Sequence, residues 1–496
     1  MLYGREILPE CKELIKSYKI IASCYKKAFY LPKFTEYKSI FAFAGILPPE
    51  ETTKLLRQSF IARKCAMKDS KVKDLFDKHR TYGHIPIGFN KKSKVEKFGF
   101  MKRTHVDYNK IGFNYKDIKE MERIDILYDY VAPEINTDLT DKIDKGKTPE
   151  PKCLELYKNY ESEINAATTT DPLIIFTDAS RKDNETSGQA ETGIGIIAYH
   201  KNDKIIRFSH SIKLNNNLSI ASAEAYAIKF SLDRIISILN ANNERENGND
   251  YLMKLKLKYK LKLLGKNQNI HIFSDSLSAL TMLKNPDFLG SRFDIIKEIF
   301  NAIEILKNKF EINVKLFWIP SHVGIPGNEE ADKLANIALT NPTNTVNIGL
   351  GYKEAKSIFR RNIKNNWTKK WREYVASVNP TPKSLITNPL RKNPIFVSPK
   401  TIKRNRLLMN AQYFRLTNDK FCNDCNTPNT VNHLLLDCRK YNDEREQFLA
   451  NLITHIPPEK RIDFRLQLSH FLDPDLEGPQ LDLALSFINN LKNINI

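Results

Sequence analysis

Four carboxylates, each tied to an apolar run, are the residues of this 496-residue chain best able to do chemistry together. Ile174-Ile175-Phe176-Thr177-Asp178-Ala179-Ser180 predicts a buried strand that delivers Asp178 at or just before its end. Ile270-His271-Ile272-Phe273-Ser274-Asp275-Ser276 repeats the pattern for Asp275. Ala221-Ser222-Ala223-Glu224-Ala225-Tyr226-Ala227-Ile228 opens an Ala-rich helix with Glu224 in its first turns, and its apolar side continues at Leu232, Ile235 and Ile236. A further strand from Val314 leads into a loop holding His322, Gly324 and Gly327, then a helix carrying Asp332. One acid after a strand is ordinarily a turn former or a helix cap. Four acids converging from separate elements repel unless cations lie among them, and hard oxygen ligands select Mg²⁺ or Mn²⁺. Two such ions, about 4 Å apart, supply what phosphodiester hydrolysis needs: an activated water, stabilised charge at phosphorus and a neutralised leaving oxygen.

These four segments, in this order, resemble ribonuclease H of the type 1 class over roughly residues 172–340, about a third of the chain. Ser321-His322-Val323-Gly324 followed by Gly327-Asn328-Glu329 is the most recognisable run. The resemblance implies that Asp178 bridges two ions, that Glu224 and Asp275 complete the shell of one, and that Asp332 holds the other. It also implies that Glu224 sits nearest the ribose 2′-OH and that His322 assists leaving-group protonation or product release. Ser180 and Ser276, close in sequence to the ligands, are candidate donors to them. The implied substrate is an RNA:DNA hybrid, cut endonucleolytically in the RNA strand, whose 2′-OH distinguishes it from DNA. A different class of function, a catalytically silent nucleic-acid-binding remnant, would be marked by a missing acid, and none is missing.

The element pattern around these residues predicts an α/β fold. Strands at 173–178, 193–199, 204–211, 270–274 and 312–318, with helices at 219–239, 276–283, 291–308 and 328–339, make a mixed five-stranded sheet flanked by helices. An insertion at 240–269 alternates apolar and basic residues from Tyr251 to Leu263, as a basic-faced β-ribbon or a poorly amphipathic helix would. It is either a solvated excursion or a grip on phosphates. Residues 131–171 shift to Pro, Thr, Asp and Lys and read as a linker with one short helix at 154–164. Gly146-Lys147-Thr148 lacks the earlier glycine and the preceding strand of a phosphate-binding loop. Residues 1–130 read as mostly helical, at 13–29 and 51–67. With Leu2-Tyr3-Gly4-Arg5-Glu6, they resemble the stretch after the polymerase fingers and palm in jockey-like retrotransposons lacking long terminal repeats. That likeness implies an upstream polymerase portion of the same element.

Beyond 340, residues 341–405 hold a basic aromatic helix and a linker. Phe359, Ile363, Trp367, Trp371 and Tyr374 fall at helical spacing with cations between them, a stripe for docking on a neighbour or for stacking on bases. Region 406–465 carries Cys422, Cys425, His433 and Cys438 as C-x2-C-x7-H-x4-C, a set that fits tetrahedral structural Zn²⁺. The run resembles the zinc knuckle after ribonuclease H in jockey-like elements, where it is implied to touch nucleic acid. Residues 466–496 form a C-terminal helical tail. A net charge of +20 and a pI near 9.4 make a polyanion the expected partner. Seven cysteines, an odd number, argue for a reducing compartment rather than a disulfide framework. The first ten residues show no signal pattern, and no run of about 18 apolar residues occurs, so secretion and a membrane span are both disfavoured. The expectation is a soluble intracellular protein, with nucleus and cytoplasm both open.

Overall fold

The computed structural model describes residues 12–31, 33, 35–68, 70–79, 100–121, 133–144, 147–166, 171–183, 189–200, 206–246, 269–286, 292–340, 344–377, 382–391, 401–409, 420–461 and 464–491. The chain folds into two compact units, Ser59–Thr81 with Thr104–Ile358, and Met1–Gln58 with Tyr82–Arg103 and Phe359–Ile496.

The first unit is built on a sheet of β1 (Glu134–Asn136), β2 (Leu173–Asp183), β3 (Ala190–His200), β4 (Ile206–Leu214), β5 (Asn269–Ser274), β6 (Asn313–Trp318) and β7 (Thr345–Val346). Its strand order is β1-β6-β5-β2-β3-β4-β7. β2, β3 and β4 form an antiparallel meander, while β5, β6 and β1 add in parallel beyond β2. The sheet therefore has seven strands, not the expected five. β1 comes from the stretch read as a linker, and β7 from the stretch just after 340. At three and two residues both are too short to show a period-2 pattern, and the ladder of the neighbouring strand specifies them instead. The same stretch supplies the helices Leu139–Lys142 and Glu150–Ala166, the second burying Cys153, Tyr157 and Tyr160.

Helices Ile220–Glu246, Leu277–Lys284, Phe293–Phe310 and Pro326–Thr340 complete this unit. The first runs past the expected end at 239 into the 240–269 insertion, and the Tyr251 to Leu263 alternation lies outside the described residues. Its amino-terminal end is anchored by a buried knot. The Glu354 carboxylate accepts from Ser219 N at 2.7 Å, from Gly351 N at 2.8 Å and from Arg292 Nη1 at 3.1 Å. An acid at a helix amino terminus is favourable, and this one fixes the start of the helix that presents Glu224.

Helix Pro326–Thr340 packs unusually close to the sheet. Gly193 and Gly195, on one face of β3, lie against its Ala331, Ala335 and Ala338, all fully buried. A Cβ on Gly195 would run into Ala331 O and would meet Ala335 N at 2.5 Å. Gly195 is the register partner of Asp178, so this close approach brings Asp332 towards Asp178.

In the second unit, helices Lys12–Ala28, Tyr37–Phe43, Asn442–Thr454 and Gly478–Asn490 surround an apolar core. Trp367 and Trp371 of the helix Tyr352–Ser377 belong to that core, Phe359 and Ile363 of the same helix are also buried, and Trp371 Nε1 donates to Ile386 O at 2.8 Å. The aromatic stripe is thus a docking face, and base stacking by these four rings and chains is excluded by their burial. Among the described residues no helix is long and apolar enough to cross a membrane.

Candidate active site and metal centres

The parallel ladder between β2 and β5 ends at Thr177↔Ser274, whereas the antiparallel ladder to β3 continues to Asp183↔Ala190. Asp178 is therefore inside its strand on one side and past the ladder on the other, rather than at a strand end as expected. The gap past β5 is where Asp275 emerges, one residue after Ser274. Glu224 reaches the same place from the second turn of its helix. Acid oxygens of Asp178, Glu224 and Asp275 all lie within 4.8 Å of one another.

Several contacts hold this trio. Ala179 N donates to Asp178 Oδ1 at 2.7 Å, Asn328 Nδ2 to Asp275 Oδ2 at 3.2 Å and Trp318 Nε1 to the Asp275 carbonyl at 3.1 Å. Glu224 Oε2 is buried with no hydrogen-bond partner among the described residues. Burial, then the charges of Asp275 and Asp332, pushes the Asp178 carboxyl up to about 8. Burial, then Asp178 and Asp275, holds the Glu224 carboxyl well above the carboxylate range. A cluster that disfavours its own ionisation and leaves one oxygen orphaned fits a hard divalent cation, which supplies both the charge and the missing partner.

A pH dependence follows. The folded protein keeps a proton that the unfolded chain, with its carboxyl near 3.8, has released. Stability from this source is complete below about pH 4 and is lost as pH rises through about 8, at up to ~1.4 kcal/mol per pH unit for each proton. Denaturant unfolding between pH 5 and 8 in a chelator should show that decline, and Mg²⁺ should flatten it. A flat metal-free profile would contradict the clustering.

Asp332, half-buried on helix Pro326–Thr340, stands outside the trio, yet near enough for its charge to raise Asp178. His322 is not brought into the cluster either. It is exposed on its loop at φ +54°, a left-handed turn that Gly324 continues at φ +82°. Glu329 ties the loop back, accepting from Gly324 N at 3.2 Å. Ser276, expected as a donor to a ligand, instead caps helix Leu277–Lys284, its hydroxyl accepting from Ala279 N at 3.4 Å. Sequence reasoning assigned no role to Asn328 or Trp318. Asn328 is 1% exposed, a burial that its neighbours Gly327, Glu329 and Glu330 do not announce in the sequence.

The second cluster lies in the helical unit. Ligand atoms of Cys422, Cys425, His433 and Cys438 all fall within 4.8 Å of one another. The Cys438 sulfur is 3.8 Å from that of Cys422 and 4.0 Å from that of Cys425. Those separations are too long for disulfides, and they match the ~3.8 Å edge of a tetrahedron built on Zn–S bonds of about 2.3 Å. Cys422 and Cys425 flank a tight turn in which Asn426 N donates to Cys422 O at 2.8 Å. His433 and Cys438 are set by the helical turn His433–Asp437, whose Leu434 and Leu435 are buried in the core.

No family model matches the chain, and no curated protein matches it. Solved structures do. LC11-RNase H1, isolated from compost by a metagenomic approach, is 16% identical, with 34% of this chain and 97% of that one covered and a TM-score of 0.24. The same enzyme in complex with RNA/DNA hybrid gives 18% identity over 34% and 96%, with a TM-score of 0.24. The N-terminal RNase H domain of rv2228c from Mycobacterium tuberculosis gives 15% identity over 34% and 98%, with a TM-score of 0.22.

Proposed function

We propose that the sheet-bearing unit is a metal-dependent endonuclease that hydrolyses the RNA strand of RNA:DNA hybrids, in a protein derived from a jockey-like retrotransposon. The observation that carries this reading is the trio of buried Asp178, buried Glu224 and half-buried Asp275, with Glu224 Oε2 unpartnered among the described residues and the Asp332 charge near enough to raise Asp178. Asp178, Glu224 and Asp275 would hold Mg²⁺ or Mn²⁺, with Asp332 as the further carboxylate of a two-ion site. When bound, the two ions supply an activated nucleophilic water and neutralise the leaving oxygen.

The chain's own groups do the positioning. Ala179 N fixes one oxygen of Asp178, and Asn328 and Trp318 fix Asp275, while Glu224 would be the acid nearest a bound ribose 2′-OH. His322, exposed on a turn held by Glu329 and apart from the acid trio, would bring a proton to the leaving oxygen. Cys422, Cys425, His433 and Cys438 bind a structural Zn²⁺ that orders a nucleic-acid-contacting knuckle. The upstream partner is a polymerase portion of the same element.

Incubating the purified protein with labelled RNA:DNA hybrid, single-stranded RNA and duplex DNA, with and without Mg²⁺, tests the reading. Hybrid cut in its RNA strand, and only with Mg²⁺, is the expected result. Binding of all three without cleavage would sink it in favour of a silent nucleic-acid-binding remnant. For the knuckle, metal analysis should find about one zinc per chain. A chelator strong enough to strip it should unfold the helical unit, because on the order of 10 kcal/mol of zinc-binding energy is also folding energy.

A further inference from the structure

We propose that Asn336 is a positioning residue for Asp332, tying Asp332 Oδ1 so that Oδ2 is the oxygen offered to a divalent cation. This rests on the nuclease reading above. Asn336 lies one turn beyond Asp332 on helix Pro326–Thr340, with its side chain exposed. Its Nδ2 donates to Asp332 Oδ1 at 3.0 Å and to the Asp332 carbonyl at 3.0 Å, while its Oδ1 accepts from Ser180 Oγ at 2.7 Å. The amide can point only one way. A carboxylate and a carbonyl accept but never donate, so the NH₂ must face them, and the amide oxygen is then turned to the Ser180 hydroxyl.

Ser180 is two residues beyond Asp178 and shares its face of β2. Ser180, Asn336 and Asp332 therefore form one chain of hydrogen bonds that ties the fourth acid to the strand carrying the first. Stability does not account for it. Exposed hydrogen bonds contribute little net free energy, and Asn is less favourable than Ala inside a helix. What the chain does is restrict a half-buried carboxylate to one orientation before a cation arrives, so that less ordering entropy opposes binding. It also occupies Oδ1, which leaves Oδ2 as the ligand atom.

The test follows Mg²⁺ titrations by two readouts, hybrid cleavage and the Mg²⁺-induced rise in unfolding temperature, in the full chain and in Asn336→Ala, Ser180→Ala and the double variant. Without metal, Asn336→Ala should unfold at the same temperature or slightly higher. Its half-maximal Mg²⁺ concentration should rise about tenfold in both readouts. Cleavage at saturating Mg²⁺ should return to near the parent level, which a merely structural defect would not allow. Ser180→Ala should shift the same way by less, and the double variant should be no worse than Asn336→Ala, since all act through one chain. An unchanged Mg²⁺ midpoint in Asn336→Ala, with the parent protein responding normally, overturns the tether and leaves the nuclease reading standing. A parent protein that responds to Mg²⁺ in neither readout overturns both.

Discussion

Asp275→Asn should lower Mg²⁺-dependent cleavage of an RNA:DNA hybrid by at least about a thousandfold while leaving the unfolding temperature no lower than that of the parent protein. A thousandfold is ~4 kcal/mol of barrier, a plausible cost for removing one anionic ligand from a shared ion site. Asparagine keeps the shape of the side chain. The Asn328 amide that now donates to Asp275 Oδ2 at 3.2 Å can donate equally to the carbonyl oxygen of the new amide, and the Trp318 bond goes to backbone, so both survive. What is lost is a charge. After burial, that charge is the first cause holding Asp178 high, so its removal relieves repulsion in the metal-free protein. The variant should accordingly show a shallower fall in metal-free stability between pH 5 and 8. Cutting at near-parental rates by a folded Asp275→Asn protein would refute the assignment, and a large drop in unfolding temperature would show that Asp275 is a structural acid instead.

The three acids that the fold brings together were readable because each is announced by a local pattern: an apolar strand that stops, or a helix with a 3.6-residue apolar period. The meander of β2, β3 and β4 was readable for the same reason, since those strands are 11, 11 and 9 residues long. β1 and β7 were not, because a strand of two or three residues owes its existence to the ladder beside it. The aromatic stripe at Phe359 to Tyr374 shows a different limit. Its periodicity fixed a face but could not say whether that face met protein or bases, and only the burial of Trp367 and Trp371 decided between them. Asn336 was invisible for a third reason: its meaning lies in Ser180, 156 residues away in sequence. Gly193 and Gly195 carry a signal of their own, since glycine at alternate positions of a strand marks close approach of another backbone.

That close approach sets the second large effect. Gly195→Ala should destabilise the sheet-bearing unit by about 3 kcal/mol or more, the upper end for overpacking, and should cut hybrid cleavage at least about a hundredfold at temperatures where the protein is still folded. The atoms a new Cβ would meet are Ala331 O, Ala335 N at 2.5 Å and Leu334 Cβ at 2.9 Å. Two of the three are backbone, so no side-chain rotation relieves the clash and the helix itself must move. Ser211 Oγ, which donates to Leu334 O at 2.8 Å, pins the same turn from β4 and resists that movement. Asp332 lies between Ala331 and Lys333 on the displaced turn, so any shift that accommodates the methyl group carries the fourth acid away from Asp178. For a unit of this size, 3 kcal/mol corresponds to a fall of roughly 6–12 °C in unfolding temperature. Gly112→Asn provides the contrast. Gly112 is left-handed at φ +63° with nothing within 4 Å of a Cβ, and asparagine tolerates that backbone, so stability and cleavage should both stay near parental values. Parental stability in Gly195→Ala would mean that the helix does not rest on β3 as closely as the structure places it, and the link between packing and the position of Asp332 would fail with it.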